Sequence, residues 1–464
     1  MLIREAEVEG RLTDVRLADG RVAELGPRLE AGGDEVVEAH GGALLPGLVD
    51  HHVHLLAVAA ALASVACGPP DVRDPGGLRE ALRGAAADVH GWVRGVGYVE
   101  TVAGDLDART LDELDDRRPV RVQHRSGALW MLNSRAAAQV GLQDADHPGV
   151  ERDAEGRATG RVWRADRWLG ERLPRGAAPS LDDVGRRLSA LGITGVTDAT
   201  PQLAPGARDA LAAALASGAI AQDVLALGWP LDPSVAPPPG GRLRPGPWKI
   251  VLADSGLPDL DDLCAEIAAA HTVGRAVAVH CVTREALALL LAALDLCGIV
   301  SGDRLEHAAL VPAEVVPVLR ARGLAVVTQP GFVAHRGDDY RREVPPADLP
   351  DLYRCASLAA ADVPVGLSSD APYGPLDPWA VMAAAVHRRT PDGEVLGPAE
   401  RMTPAAALAS YLSPADHPGG SPRRVVPGAP ADLVLLHPPL EEALHDLDAA
   451  LVRLTLVRGE LASS

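Results

Sequence analysis

The chain has 464 residues, 47% of them hydrophobic and 23% charged, with a formal net charge of −19. Such an acidic balance, with no basic block, argues against binding to a phosphate backbone, and the lack of any apolar run near about 18 residues argues against a membrane span. The length suits one large α/β barrel with accessories, or two to three domains.

The opening MLIREAEVEG carries acids and none of the apolar stretch of a signal peptide. Residues 2–9, 14–17, 22–25 and 36–39 read as short strands, with Asp19-Gly20 as a hairpin turn. From residue 44 the style changes to apolar strand-like runs alternating with Ala/Leu-rich helical stretches. The runs are 44–54, 194–199, 224–228, 248–253, 276–282, 304–310, 325–329 and 363–368. Helices are expected at 260–272, 284–297, 312–322 and 350–361. Eight buried runs, most followed by a helix, predict a (β/α)8 TIM-like barrel rather than an open sheet. The gap after the first run is too long for one helix and holds its own strands, at 91–99 and 120–124. It reads as an inserted α/β subdomain capping the barrel mouth. The last forty residues return to short strands, 432–437 and 451–457, with Arg458-Gly459 after them. The expected organisation is therefore a small β-sandwich built from both termini (1–46 and 424–464), a barrel (47–68 and 179–423) and an insert (69–178).

The five cysteines, at 67, 264, 281, 297 and 355, are odd in number and lack Cys-x-x-Cys spacing. This argues against a disulfide framework or a structural zinc site, and for a reducing, cytoplasmic compartment.

Among 44 basic residues one is lysine, Lys249, and it opens the run WKIVLAD. A chain that writes its other cations as Arg keeps Lys where an amine that can lose its proton is needed. His52 and His54 are two apart in PGLVDHHVHL and point to one face of a strand. His280 ends AVAVHCV, His307 ends RLEH, and Asp370 ends GLSSD. These residues fall on the first, fourth, fifth, sixth and eighth runs, nearly all at the same end, where barrels build their active sites. An amine among such ligands suggests a carbamate, lysine plus carbon dioxide, able to bridge two metal ions. Two divalent cations would lower the pKa of a bridging water and polarise a substrate carbonyl. Asp370 can then take the proton of the attacking hydroxide and pass it to a leaving amine. Imidazole and carboxylate ligands suit zinc, and manganese, iron, cobalt or nickel would also fit.

These motifs resemble the amidohydrolase superfamily, and within it the branch of N-acyl and formamide hydrolases known as amidohydrolase family 3. PGLVDHHVHL, WKIVLADSG, RLEHAALVP, VTQP and GLSSDAP resemble its strand motifs, and MTPAAALASYLSPAD with VPGAPADLVLL its closing segment. The resemblance implies that His52 and His54 bind the more buried metal, carboxylated Lys249 bridges, and His280 and His307 bind the second metal. Asp370 would contact the first metal and shuttle protons.

The chain departs from that pattern in several places. Asp254 comes one residue late, with Ser255 before Gly256; Ala128 stands where a His is frequent; Arg164 replaces a common acid; Thr283-Arg284 replaces Gly-Asp. Arg284 is thereby a candidate for pairing with a substrate carboxylate. His124 in the insert, with Gln329 and Tyr373 on barrel-top loops, are further candidate substrate contacts. Trp130 and Trp163 are expected as core, Cys281 as core, and His51 out of alternation with the ligands.

The expected activity is metal-dependent hydrolysis of a non-peptide carbon–nitrogen bond in a small N-acylated or cyclic-amide compound. A single-metal deaminase using His52, His54, His280 and Asp370 is the alternative, distinguished by having no need of Lys249. An esterase or lactonase on the same site is a third reading, and a metal-free scaffold a fourth that the full ligand set disfavours. The expected partner is a small molecule, with no nucleic acid and no membrane, and a homo-oligomer is compatible with the chain.

Overall fold

The computed structural model describes residues 1–174, 179–253 and 256–462, so the Asp254–Ser255 departure lies outside the described residues. The chain forms two compact units, Met1–Leu55 with Leu181–Ser464, and Leu56–Ser180.

In the larger unit, the amino-terminal hairpin turns at Asp19 and Gly20, both with positive φ (49° and 71°), as a tight two-residue turn requires. Its strands belong to a four-stranded sheet, and a second four-stranded sheet joins Leu44–Pro46 to Leu433–Leu436 and the carboxy-terminal strands. One core serves both: Ile3, Val15, Leu17 and Leu44 cluster with Leu433, Leu435 and Leu456. The run expected as one strand over 44–54 is therefore two. Before Gly47 it pairs with Leu433–Leu436, and after it with Ile193–Asp198. A Cβ at Gly47 would stand 2.1 Å from Thr194, so only glycine permits the crossing there.

The remaining strands are parallel. They are β1 (Leu48–Val53), β2 (Ile193–Asp198), β3 (Asp223–Ala226), β4 (Trp248–Val251), β5 (Val277–Cys281), β6 (Arg304–His307), β7 (Ala325–Thr328) and β8 (Val365–Leu367). β1, β2 and β3 form one sheet, ending on the short strand Leu243–Pro245; β4 to β8 form a second in chain order. Backbone bonds link the two sheets at both sides. Lys249 N donates to Leu227 O (3.2 Å) beside β4, while Asp370 N donates to His52 O (2.8 Å) and His54 N to Ala371 O (2.9 Å) beyond β8 and β1. β1 and β2 are buried throughout, as strands covered on both faces are.

Helices follow several of these strands, among them Leu260–Thr272 and Arg284–Cys297. The latter starts on Thr283, whose hydroxyl accepts from Ala286 N at 3.2 Å, which accounts physically for Thr at that departure. The helix expected over 350–361 is interrupted: a 3-10 turn at Leu349–Asp351 and the helix Ala356–Ala360 flank Tyr353, whose φ is 46°. A long helix the sequence reading omitted, Gly331–Glu343, follows β7.

The smaller unit is a six-stranded mixed sheet, from Val150–Arg152 at one edge to Val65–Ala66 at the other. One core holds Leu78, Leu82, Val120 and Leu111. Another holds Trp130, Leu132, Val162 and Leu169.

Candidate metal centre

Register fixes which residues share a level. Along β4, β5 and β6, Lys249, Ala278 and Arg304 stand side by side, and Val251, His280 and Glu306 stand side by side two residues further on. Paired residues in a parallel sheet project to the same face, so Lys249, His280, Arg304 and Glu306 share one side. His51 shows the opposite side of β1. Its Nε2 lies 3.1 Å from Ser410 O and 2.9 Å from Ser413 Oγ, next to the helix Pro404–Leu412.

The strand ends bring the other groups in. His307 and Asp370 have φ of 68° and 51°, conformations that side-chain-bearing residues seldom adopt. Such strain persists where surrounding structure enforces it, and it turns both side chains toward β1. One ligand atom each from His52, His307 and Asp370 lie within 4.8 Å of one another. Asp370 Oδ1 is 3.2 Å from His54 Nε2 and 3.5 Å from His52 Nε2, and Oδ2 is 3.8 Å from His307 Nδ1. The His280 ring centroid is 4.4 Å from that of His307, and His52 and His307 are 4.8 Å apart. Lys249 is 4% exposed and feels the charges of Glu306 and Asp370.

The His52 and His307 rings each meet a polar side chain through Nδ1. His52 Nδ1 contacts Glu306 Oε2, and Arg304 Nε donates to Glu306 Oε1 at 2.7 Å. His307 Nδ1 lies 2.8 Å from Gln329 Oε1, whose amide nitrogen donates to Ser368 Oγ at 2.9 Å. An amide oxygen only accepts, so His307 carries its proton on Nδ1 and offers the Nε2 lone pair. Asp50 braces the β1 end, accepting from His52 N and Ser369 N, both at 3.1 Å.

Burial sets the charge states. Desolvation, with the neighbouring Lys249 and His54 charges, drives the His52 pKa well below its ordinary value; desolvation and His280 do the same to His307. Desolvation also lowers the Lys249 amine, against the opposing pull of Glu306 and Asp370. Neutral imidazoles and an amine that loses its proton more readily are what metal ligation and carbamate formation need. Three buried atoms of this cluster, His52 Nε2, Lys249 Nζ and Asp370 Oδ1, have no hydrogen-bond partner among the described residues. Unpartnered buried polar atoms occur elsewhere in the chain as well, but these lie where ligand atoms of His52, His307 and Asp370 come within 4.8 Å of one another, so the donor set fits a divalent cation.

The other expected site residues fall as follows. Gln329 is fully buried and engaged with His307 and Ser368. Tyr373 is half-buried, its ring 5.6 Å from His54. Arg284 Nη2 pairs with Asp348 at 2.6 Å and Asp351 at 2.7 Å, so side-chain carboxylates already balance its charge. His124, in the smaller unit, bridges Ser126 Oγ (2.7 Å) and Glu100 Oε2 (3.2 Å). Trp130 there is buried, with the Arg94 and Arg121 guanidiniums 5.3 Å and 5.0 Å from its ring, while Trp163, expected in the core, is 39% exposed and donates to Glu151 at 3.0 Å. Arg164 has a φ of 48°, and its amide donates to Ala128 O at 2.7 Å.

Glu306, Arg304 and Asp50 were not anticipated. A signal for the first two was present: Arg-x-Glu within an apolar run puts opposite charges on one strand face immediately before the metal-type His307.

The family described as "Amidohydrolase family" matches residues 35–462. The chain is 26% identical to the N-substituted formamide deformylase of Arthrobacter pascens, covering 96% of this chain and 94% of that protein. It is similar in fold to an uncharacterized metal-dependent hydrolase from Pyrococcus horikoshii, with a TM-score of 0.76, 20% identity and 99% of each chain covered. A counterpart from Pyrococcus furiosus gives a TM-score of 0.71 at 20% identity, over 97% of this chain and 99% of the other. A family match over nearly the whole chain settles the assignment: the protein belongs to the amidohydrolase family and is a hydrolase acting on carbon–nitrogen bonds.

Proposed function

We propose that β1 to β8 close into a (β/α)8 barrel holding two divalent ions, most simply zinc, and that the enzyme cleaves the amide of a small N-acylated or cyclic-amide compound. The three backbone hydrogen bonds that join the parallel sheets at both sides support the closed barrel. The observation that carries the site is the convergence of the unpartnered, buried His52 Nε2, Lys249 Nζ and Asp370 Oδ1 beside His54, His280 and His307. His52, His54 and Asp370 would hold one ion, His280 and His307 the other, with Lys249 bridging as its carbamate. When bound, the ions supply Lewis acidity toward the substrate carbonyl and lower the pKa of a water to near neutrality.

The chain's own residues do the rest. Asp370, aimed between His52, His54 and His307, accepts the proton of the attacking water on its carboxylate and returns it to the departing amine. Gln329 keeps His307 in the tautomer that presents Nε2. Tyr373, half-buried beside His54, would bound the substrate space, and the formamide activity of the Arthrobacter pascens relative supports a small acyl group as the part cleaved.

The test uses protein stripped of metal and then reloaded with zinc and bicarbonate. Metal is counted by elemental analysis and products are followed from a panel of N-substituted formamides, N-acyl amines and cyclic amides. Two ions per chain with release of amine and carboxylate are expected. One ion in fully active enzyme, with ammonia released from an amino-substituted heterocycle, would replace this reading by the deaminase.

A further inference from the structure

Glu306 is completely buried, and among the described residues its carboxylate meets Arg304 and His52. Arg304 Nε–H reaches Oε1 at 2.7 Å, and His52 Nδ1 reaches Oε2. Arg304 is itself 2% exposed, so the pair lies wholly inside the strand layer. An ionised carboxylate only accepts, and a guanidinium only donates. A neutral imidazole facing such a carboxylate keeps its single proton on Nδ1 and leaves the Nε2 lone pair on the opposite side, where Asp370 Oδ1 stands 3.5 Å away. We propose that Glu306, anchored by Arg304, is a positioning residue that locks His52 in the tautomer and orientation presenting Nε2 to a metal ion. The proposal rests on the metal-centre reading above.

The carboxylate is specifically required. A glutamine would offer one acceptor oxygen to two donors, so its NH2 must face either Arg304 Nε–H or His52 Nδ1–H. Facing Arg304, it sets donor against donor beside a buried guanidinium. Facing His52, it moves the ring proton to Nε2 and takes that atom out of ligation. Either outcome is costly in a buried site, where donors cannot turn to water. The register explains how Glu306 comes to stand there: it is level with His280, on the face that carries Lys249.

The experiment titrates zinc into metal-stripped protein against a competing chelator and records the imidazole nitrogen resonances of 15N-histidine-labelled protein, with His52→Asn assigning the His52 signals. Wild type should show His52 protonated at Nδ1. Glu306→Gln should lower zinc affinity by about 10- to 100-fold and shift His52 toward the Nε2–H form. Because an isolated buried Arg304 could prevent that variant from folding, the double variant Arg304→Met, Glu306→Leu removes both charges and keeps the volume apolar, a replacement proteins commonly tolerate. It should fold by circular dichroism yet still bind zinc at least about 10-fold more weakly. Zinc affinity equal to wild type in either folded variant, with His52 still protonated at Nδ1, would overturn the role of Glu306. His307→Ala separates the two levels of the argument. Weakened zinc binding there with an unaffected Glu306→Gln leaves the metal centre standing and Glu306 without its role. Failure of wild type to bind zinc removes the metal centre itself.

Discussion

Asp370→Asn tests the chemistry at its most exposed point. The residue sits at φ 51°, and asparagine is among the few side chains that tolerate this conformation, so the substitution adds little backbone strain. It is also isosteric, so Oδ1 stays near the 3.2 Å and 3.5 Å separations from His54 and His52. What is lost is the negative charge and the capacity to take a proton. Loss of a general acid–base group lowers turnover by about 10²- to 10⁴-fold, or about 3 to 5 kcal/mol on the barrier at 1.36 kcal/mol per tenfold. The fold should be unchanged, because the backbone anchors at this corner, Asp370 N to His52 O and His54 N to Ala371 O, do not involve the side chain. The assay is amine release from an N-substituted formamide at neutral pH, with metal content measured on the same sample. A rate within a few-fold of wild type, at equal metal content, would mean that another group moves the proton.

Lys249→Ala should lose at least one metal ion and nearly all turnover, and Lys249→Arg should do no better, since a guanidinium does not supply the amine a carbamate needs; elemental analysis and rate decide it, and a few-fold effect in Lys249→Arg would remove the bridging role. Arg284→Ala should lower the melting temperature, by the equivalent of about 1 kcal/mol for a partly exposed ion-pair network, because Asp348 and Asp351 lose a shared cation. It should change KM alike for anionic and neutral substrates, and a selective loss for the anionic one would restore a substrate-binding role. In the smaller unit, burial pushes the Asp115 carboxyl up, but hydrogen bonds from Arg117 and Arg118 outweigh it and hold the pKa at about 2. A lowered carboxyl pKa stabilises the fold above the ordinary value of 3.8 and loses that contribution as pH falls through about 2. Asp115→Asn should therefore cost about 1 to 2 kcal/mol at neutral pH, after allowing for the exposure of Arg117. The difference from wild type should close in acid, and a difference independent of pH would refute it.

The strands and their facing were legible because buried parallel strands are written as short apolar runs, and a two-residue spacing such as His52 and His54 needs no tertiary information to define a face. The lone lysine was legible for a compositional reason: in a chain of arginines its retention at 249 demanded a local cause. What the sequence could not express was backbone geometry away from these periods. Leu44–Pro46 reads as continuous with β1, yet Gly47 passes it to another sheet. Tyr353 breaks an otherwise helical pattern through a positive φ that no glycine announces. His307 is the clearest case. Strand alternation sets it opposite Glu306, which lies level with His280 on the ligand face. Only the φ of 68° at the strand end swings His307 to that same side, so that one strand delivers both an expected ligand and the carboxylate that orients another. Simple alternation can therefore identify either residue of that pair as facing the site, but not both. The same holds for Arg284. Its spacing after His280 says that it is near the centre, but whether it meets a substrate or Asp348 and Asp351 is decided by a loop some sixty residues away.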